Sequence, residues 1–478
     1  MRSPRKNSFS FLFFIIPLTL LIILFLYFYP QSSIFKSTSA PPSSVSSSEI
    51  SSQQLTGIIQ DATMNTLAIQ TPDGTIYSFD TDGVSISAGS TGLEIGNPVT
   101  LLYQGKLDES AATQSVTIQS ITVQDAASTV VATASPTSVP STDPVQMAKS
   151  ILNGMSLEEK VGQMFLVRCP EQDAAQLVSQ YHLGGYLLFG QDFAQKSKEQ
   201  VVKTIQSYQD AAQIPLFIGV DEEGGSVNRV SSNPNLRTSP FQSPQQLYQS
   251  GGFDAIKKDT LEKSTFLKSL GINLNFAPVC DVSQNPDDYI YDRSFGQDAE
   301  QTAQYVSTVV SAMKQQQMGS VLKHFPGYGN NKDTHTGIAY DNRSYDTFVN
   351  SDFLPFEAGI QQGADIVLVS HNIVSSIDDS VPASLSPKVH EILRKDLGFS
   401  GVIITDDLYM DGIRDFAGVE KAAVLAVQAG NDLLCSTEFS QQIPAVIDAV
   451  HNGEIPESRI DESVLRILEL KISLGIIS

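Results

Sequence analysis

From residue 146 to the C-terminus, short apolar runs alternate with helix-length amphipathic segments, eight times over. The runs fall at residues 164–168, 185–189, 216–221, 274–281, 321–325, 366–371, 402–406 and 432–436. Helical periodicity fills the gaps, for example over residues 196–212, 299–316 and 419–429. Ser156 and Glu159 have the spacing of a capping box, in which each side chain bonds the other's backbone N–H at a helix start. Strands separated by helices pair in parallel, because the connection is long enough to cross back over the sheet. Eight such units predict an α/β chain built on a (β/α)8 barrel of the TIM type. A doubly wound sheet is the rival arrangement, but no GxGxxG follows the first strand.

In such a barrel, chemistry gathers on the loops at the C-terminal ends of the strands. The polar residues of this sequence fall there. Strand three ends in Asp221-Glu222-Glu223-Gly224-Gly225, with Arg229 shortly after. Strand four ends at Asp281, and its loop carries Asp292-Arg293-Ser294. Strand five contains Lys323-His324, followed by Pro326-Gly327-Tyr328-Gly329 and then Asp333-Thr334-His335. Strand six ends in His371 and strand seven in Asp406-Asp407. Three of the six histidines therefore lie on one rim. Charges in or beside apolar strands are costly unless paired, so their convergence predicts a pocket for a polar ligand. Asp406-Asp407 could simply begin a polar loop. The apolar run before it places Asp406 at the rim instead. Asp333 could orient and charge His335 for proton transfer. Glu222 and Glu223 read as supporting loop charges, and Tyr328 as packing. Cys169, Cys280 and Cys435 lack CxxC spacing and read as small core hydrophobes, which excludes a disulfide scaffold and a thiolate zinc site.

The combination resembles glycoside hydrolase family 3, in its β-N-acetylglucosaminidase (NagZ-type) branch. Matching stretches run in family order: Gly184-Gly185-Tyr186 with Phe189, Asp221-Glu222-Glu223-Gly224-Gly225 with Arg229, and Asn275-Phe276-Ala277-Pro278 with Asp281. Then come Arg293-Ser294-Phe295-Gly296, Lys323-His324-Phe325-Pro326-Gly327, Asp333-Thr334-His335, and Thr405-Asp406-Asp407-Leu408 with Met410. The resemblance implies that Asp406 is a nucleophile and that His335, tuned by Asp333, is the acid/base. It implies that Asp221, Arg293, Lys323 and His324 hold sugar hydroxyls, that Arg229 supports the pocket, and, more weakly, that His371 joins it. The implied activity is retaining removal of terminal GlcNAc from cell-wall fragments or muropeptides, with no metal and no cofactor. Other family 3 glycosidases, a phosphorylase, catalysis assisted by the 2-acetamido group with Asp406-Asp407 as a pair, and a non-catalytic sugar-binding barrel are the alternatives. Family 3 glucosidases usually take their acid/base from a second domain. The last barrel helix is followed here only by residues 476–478, which favours the histidine-loop branch. Two positions depart from the family pattern: Tyr328 stands where a second histidine is usual, and Asn330 where an aspartate often follows.

Ahead of the barrel, Arg2, Arg5 and Lys6 precede an apolar run over residues 9–29. As a helix this would span ~32 Å, about one hydrocarbon core. The run is longer than the roughly 7–15 residues of a secretory signal's apolar region. Residues 1–30 are therefore expected to be a single-span anchor with the rest exported, a cleaved signal being the alternative. Residues 31–52 and 126–145 read as flexible linkers, rich in Ser in the first case and in Ala, Ser, Thr and Pro in the second. Residues 53–125, with short alternating runs and turn signals, predict a small β-barrel or sandwich of about five strands. Residues 146–478 form the catalytic barrel. With 30 Lys+Arg against 52 Asp+Glu, the net charge of −22 excludes a nucleic-acid binder of the usual basic kind. The chain has no Trp, so sugar stacking falls to Tyr and Phe. The oligomeric state is not legible.

Overall fold

A computed structural model describes residues 53–62, 66–71, 75–81, 84, 86–88, 97–107, 114, 116–123, 144–331 and 339–477. The proposed anchor at residues 1–30 and the expected acid/base pair, Asp333 and His335, lie outside this set. Among the described residues, no helix is long and apolar enough to cross a membrane. The chain divides into two compact units, residues 1–136 and 137–478.

The first unit is a six-stranded sheet. Its strands are Gln53–Ala62, Thr66–Gln70, Ile76–Asp80, Ile86–Ala88, Pro98–Gln104 and Thr117–Val123, in spatial order three-two-one-five-six-four. All pairings are antiparallel except that of Ile86–Ala88 with Thr117–Val123. Strand alternation sends Leu67, Ile69, Tyr77, Phe79, Val99, Leu101, Tyr103, Ile121 and Val123 to one buried face. A bridge from Phe79 to Gln114 joins the edge strand Ile76–Asp80 to the segment before the last strand, so the sheet curls.

The second unit is the eight-stranded parallel barrel. Strands one to eight are Phe165–Arg168, Gly185–Leu188, Phe217–Val220, Leu274–Asn275, Gly319–Phe325, Ile366–Val369, Val402–Thr405 and Leu434–Ser436. They lie side by side in the order seven-six-five-four-three-two-one-eight. A single bridge, Ile404 to Leu433, brings strand seven to strand eight and nearly closes the ring. The strands are buried throughout apart from Arg168, as a sheet covered by helices requires. The capping box forms: the Ser156 hydroxyl accepts from Glu159 N at 3.3 Å, and the Glu159 carboxylate accepts from Ser156 N at 2.8 Å. Helices Lys198–Ala211, Ala299–Gln315 and Val419–Ala429 fill the predicted positions.

Strand four is shorter than its apolar run. Pro278 has no N–H to give to the ladder, and regular pairing stops at Asn275. The segment still follows strand five, through Val321 N to Ala277 O at 3.0 Å and Lys323 N to Pro278 O at 3.3 Å. That contact delivers Asp281 beside His324.

Candidate active site

Strand three ends at Val220, and the next residues project into the mouth of the barrel. Asp221 and Glu223 are two apart in an extended segment, so their side chains share a side. Lys323 of strand five reaches both carboxylates at 2.6 Å. Arg293, from the loop after strand four, grips Glu223 through Nη2 at 2.8 Å and Nε at 3.1 Å. Burial opposes ionisation of Glu223, but the Lys323 and Arg293 charges outweigh it and hold the carboxyl well below the usual carboxylate range. Burial likewise opposes the Arg293 charge, and Glu223 more than restores it.

His324 lies between this cluster and Asp281. Its Nδ1 is 2.7 Å from Asp281 Oδ2, and its Nε2 is 3.3 Å from Arg293 Nη2. A guanidinium can only donate, so Nε2 is the acceptor and Nδ1 carries the proton toward Asp281. The second Asp281 oxygen accepts from Tyr328 N at 2.7 Å, which fixes the start of the following loop. Tyr328 is buried, with its ring edge-on to His324 at 5.4 Å, so it packs as expected.

The loop after strand three turns at Gly224, where φ is +101° and a Cβ would lie 2.2 Å from the Gln242 carbonyl oxygen. Only glycine fits there. Glu222, fully buried, then staples the loop: its carboxylate accepts from Val230 N at 2.7 Å, from Ser231 N at 3.1 Å and from the Ser231 hydroxyl. Arg229 is thereby set on the cavity wall.

On the opposite side, Asp406 follows strand seven. Its N–H donates to Val369 O at 3.1 Å, and its Oδ1 accepts from Asp407 N at 2.9 Å. Asp407 Oδ1 accepts from Tyr409 N at 3.0 Å and Thr437 N at 3.2 Å, and its Oδ2 from the Thr437 hydroxyl at 2.7 Å. Those bonds tie the loops after strands seven and eight together. They occupy the carboxylate that the acetamido-assisted reading would need as a free partner to Asp406.

A cavity of about 490 Å³ opens among these residues, a size that suits a small polar ligand such as one or two sugar rings. Asp221, Arg229, Arg293, Lys323, His324 and Asp406 all line it, as do Glu223 and Arg168. Phe189, Phe276, Tyr289 and Tyr409 supply its aromatic surface in place of Trp.

His371 is not among the residues that line the cavity. It is buried, with Nδ1 2.7 Å from the Ser384 hydroxyl and Nε2 3.0 Å from Asp407 O. Strand six ends at Val369, two residues before it, so the strand-end rule does not reach this side chain. A carbonyl only accepts, so Nε2–H donates and His371 props the loop that bears Asp406. Glu223 is the opposite case: read from sequence as a supporting charge, it is the hub of the cation cluster. Its alternation with Asp221 was the available signal. Arg168, the last residue of strand one, was missed by the rule that found the others.

Asp333 and His335 lie outside the described residues, but the stems of their loop are placed. Asn331 donates to Asp341 at 2.7 Å and to Tyr328 O at 2.9 Å. Arg343 binds Asp341 and Asp352 and donates to Gly327 O at 3.0 Å. All three cysteines are buried and unbridged.

Comparison with known proteins agrees with this geometry. Residues 156–470 match the model of the glycosyl hydrolase family 3 N-terminal domain. Beta-hexosaminidase LpqI of Mycobacterium tuberculosis is 32% identical over 330 residues, spanning 66% of this chain and 83% of that one. A beta-hexosaminidase of Tolumonas auensis is 35% identical over 283 residues, 58% of this chain and 82% of the other. The solved family 3 β-N-acetylglucosaminidase of Paenibacillus sp. FPU-7 superposes with a TM-score of 0.63 at 32% identity, covering 68% of this chain and 63% of its own. A buried cation–carboxylate cluster facing an aspartate across the mouth of a parallel barrel, with that sequence match over two thirds of its length, makes this chain a glycoside hydrolase of family 3.

Proposed function

We propose that the chain is a retaining exo-β-N-acetylglucosaminidase. The observation that carries the reading is the placement of Asp406 on the cavity wall with the Asp221–Lys323–Glu223–Arg293–His324 cluster. The cluster offers fixed donors and acceptors to the hydroxyls of a terminal sugar. Asp406 attacks the anomeric carbon and forms a glycosyl ester as the glycosidic oxygen takes a proton and leaves. Water, deprotonated by the same acid/base, then releases the sugar with its configuration retained. His335 is that acid/base and Asp333 its partner. Imidazole titrates near neutrality, so it serves without the burial that a carboxylic acid would need. The stem at Asn331 is four residues from His335, a reach of up to about 13 Å in extended chain.

The relatives named beta-hexosaminidase and β-N-acetylglucosaminidase support GlcNAc as the terminal sugar. Residues 1–30 anchor the chain in a membrane, with residues 31–52 and 126–145 as spacers and the barrel outside. The substrates are then cell-wall fragments and other GlcNAc-capped glycans. Nitrophenyl β-GlcNAc turnover tests the reading. Wild type releases β-GlcNAc first, seen by NMR before mutarotation, and Asp406→Asn lowers kcat by about a thousandfold or more. Equal activity of the two proteins, or an α-anomeric first product, would reject it.

A further inference from the structure

Residues 282–298, between Asp281 and the helix Ala299–Gln315, contain no strand or helix, yet they carry Arg293 to Glu223. A chain without a ladder must place its backbone bonds one by one. The first half of this loop is shaped from within, by Asp288, which accepts from the Ser283 hydroxyl at 2.8 Å and the Asn285 amide at 3.1 Å. Its far end is pinned by Phe295, buried and stacked on Tyr305 at 4.8 Å. Residues 291–294, which bracket Arg293, are tied differently. Gln245 Nε2 donates to Tyr291 O at 2.8 Å and to Ser294 O at 3.2 Å. Among the described residues, the main chain of 291–294 bonds otherwise only within its own loop.

Gln245 comes from the other side of this seam. It lies in the first turn of the helix Pro244–Lys268, whose start is fixed by a capping box between Ser243 and Gln246, 3.2 Å in each direction. The segment before it is held to the loop after strand three, by Gly225 N to Phe241 O at 2.9 Å and the Asn228 amide to the same oxygen at 3.1 Å. The loop that carries Asp221 and Glu223 thus holds the loop that carries Arg293 at two points. One is the Arg293–Glu223 pair on the cavity wall. The other is Gln245, which lines not the cavity but a second, open groove that it shares with Asp292. Only the NH2 end of the amide can face two carbonyls. Gly296 leaves it room, since a Cβ there would lie 2.9 Å from Nε2.

We propose that Gln245 is a positioning residue of the glycosidase: its amide brackets the main chain at Arg293 and so sets the guanidinium that holds Glu223 and meets the sugar. The proposal rests on the reading of the Asp221–Lys323–Glu223–Arg293–His324 cluster as the seat of the sugar. Gln245 itself touches no substrate. It acts by donating to two carbonyls, so a side chain of similar shape that cannot donate removes the tie.

Gln245→Met keeps the length of the side chain and loses both donors. Kinetics of the full chain on nitrophenyl β-GlcNAc should show KM raised about fivefold with kcat within about twofold of wild type. Gln245→Glu adds a readout that lost packing would not move. Ionised, its carboxylate faces two carbonyl oxygens and repels them; protonated, its O–H donates to one. Those carbonyls, and Asp292 in the same groove, disfavour the charge and lift the carboxyl above its ordinary value, while the Arg293 guanidinium is committed to Glu223. The KM ratio of Gln245→Glu to wild type, taken at each pH, should fall from about tenfold at pH 7 to about twofold at pH 5, while the Gln245→Met ratio stays flat. In an Arg293→Lys background, Gln245→Met should change KM by less than about twofold, because its effect runs through the guanidinium. A folded Gln245→Met with unchanged KM, or an undiminished effect in the Arg293→Lys background, would overturn the proposal. So would a Gln245→Glu ratio that stays flat with pH, which decides the matter alone if Gln245→Met does not fold. If wild type turns over no β-GlcNAc glycoside, the glycosidase reading fails by itself. A urea-unfolding cycle over Gln245→Met and Arg293→Lys then decides the tie: coupled losses support it, additive losses overturn it.

Discussion

Arg293 holds Glu223 with two hydrogen bonds, and neither group touches bulk water freely: their side chains are 18% and 3% exposed. Lys323 reaches the same carboxylate at 2.6 Å. One buried acid therefore bridges two buried bases, Lys323 being shared with Asp221. Glu223→Gln would leave Arg293 without a carboxylate partner and Lys323 with Asp221 alone, and breaking a buried pair from one side costs about 3–5 kcal/mol. The variant is expected to unfold at lower denaturant and to lose sugar binding, seen as a raised KM. Because the folded Glu223 carboxyl titrates well below its unfolded value, its stabilisation is complete above about pH 4.3 and fades as pH falls through the folded pKa. The stability gap between wild type and variant should therefore be flat from pH 8 to 5 and narrow in acid. A gap that widens on acidification would contradict the pairing.

Lys471 gives a pH response of opposite origin. It is fully buried at the base of the barrel, with its ammonium 2.7 Å from Gln163 Oε1 and 5.0 Å from the centre of the Phe217 ring. Burial, with no carboxylate partner among the described residues, pushes its pKa down to about 7 from 10.5. The unfolded chain therefore takes up the proton at higher pH than the folded one. Native stability drops as pH falls from about 10.5 to about 7 and is penalised by a constant amount below that. Lys471→Met removes the penalty and leaves one amide oxygen unbonded, for a net gain of roughly 1–3 kcal/mol at pH 7. The gain should shrink toward pH 10 in urea titrations. A variant less stable than wild type at pH 7 would refute this placement.

His371→Ala distinguishes a prop from a sugar ligand. Loss of the bond to Asp407 O loosens the Asp406 loop, so kcat should fall by about tenfold with KM little changed. A large rise in KM with kcat intact would mean that the imidazole touches substrate.

Gly327 has φ of +126°, and a Cβ there would sit 2.4 Å from Asp352 Oδ1. Gly327→Ala must displace Asp352 from Arg343 and strain the backbone, at a cost of about 2–4 kcal/mol. Thermal unfolding measures it. An unaffected melting temperature would show that the stem is not held as described.

The barrel was legible because its strands are buried on both faces and its helices on one, so the two periodicities separate cleanly. The helix Val419–Ala429 ends where the apolar period ends. Strand four was over-read because hydrophobicity says nothing of the N–H that Pro278 lacks. In the site, six residues placed at strand ends or in the loops that follow converged: Asp221, Arg229, Arg293, Lys323, His324 and Asp406. His371 did not, because its direction is set by Ser384 and Asp407, contacts that no local pattern encodes. Glu223 was undervalued for a similar reason. Its role depends on two cations, 70 and 100 residues away in sequence, arriving at one point.

The central claim is that Asp406 becomes covalently bonded to the sugar. A 5-fluoro-GlcNAc fluoride keeps the acetamido group and slows release of the glycosyl-enzyme, so mass spectrometry of the inactivated protein reads the bond directly. The expected result is one sugar per chain, on the peptide containing Asp406, with none in Asp406→Asn. A sugar on any other residue, or rapid turnover with no adduct while the acetamido group proves essential, would contradict it.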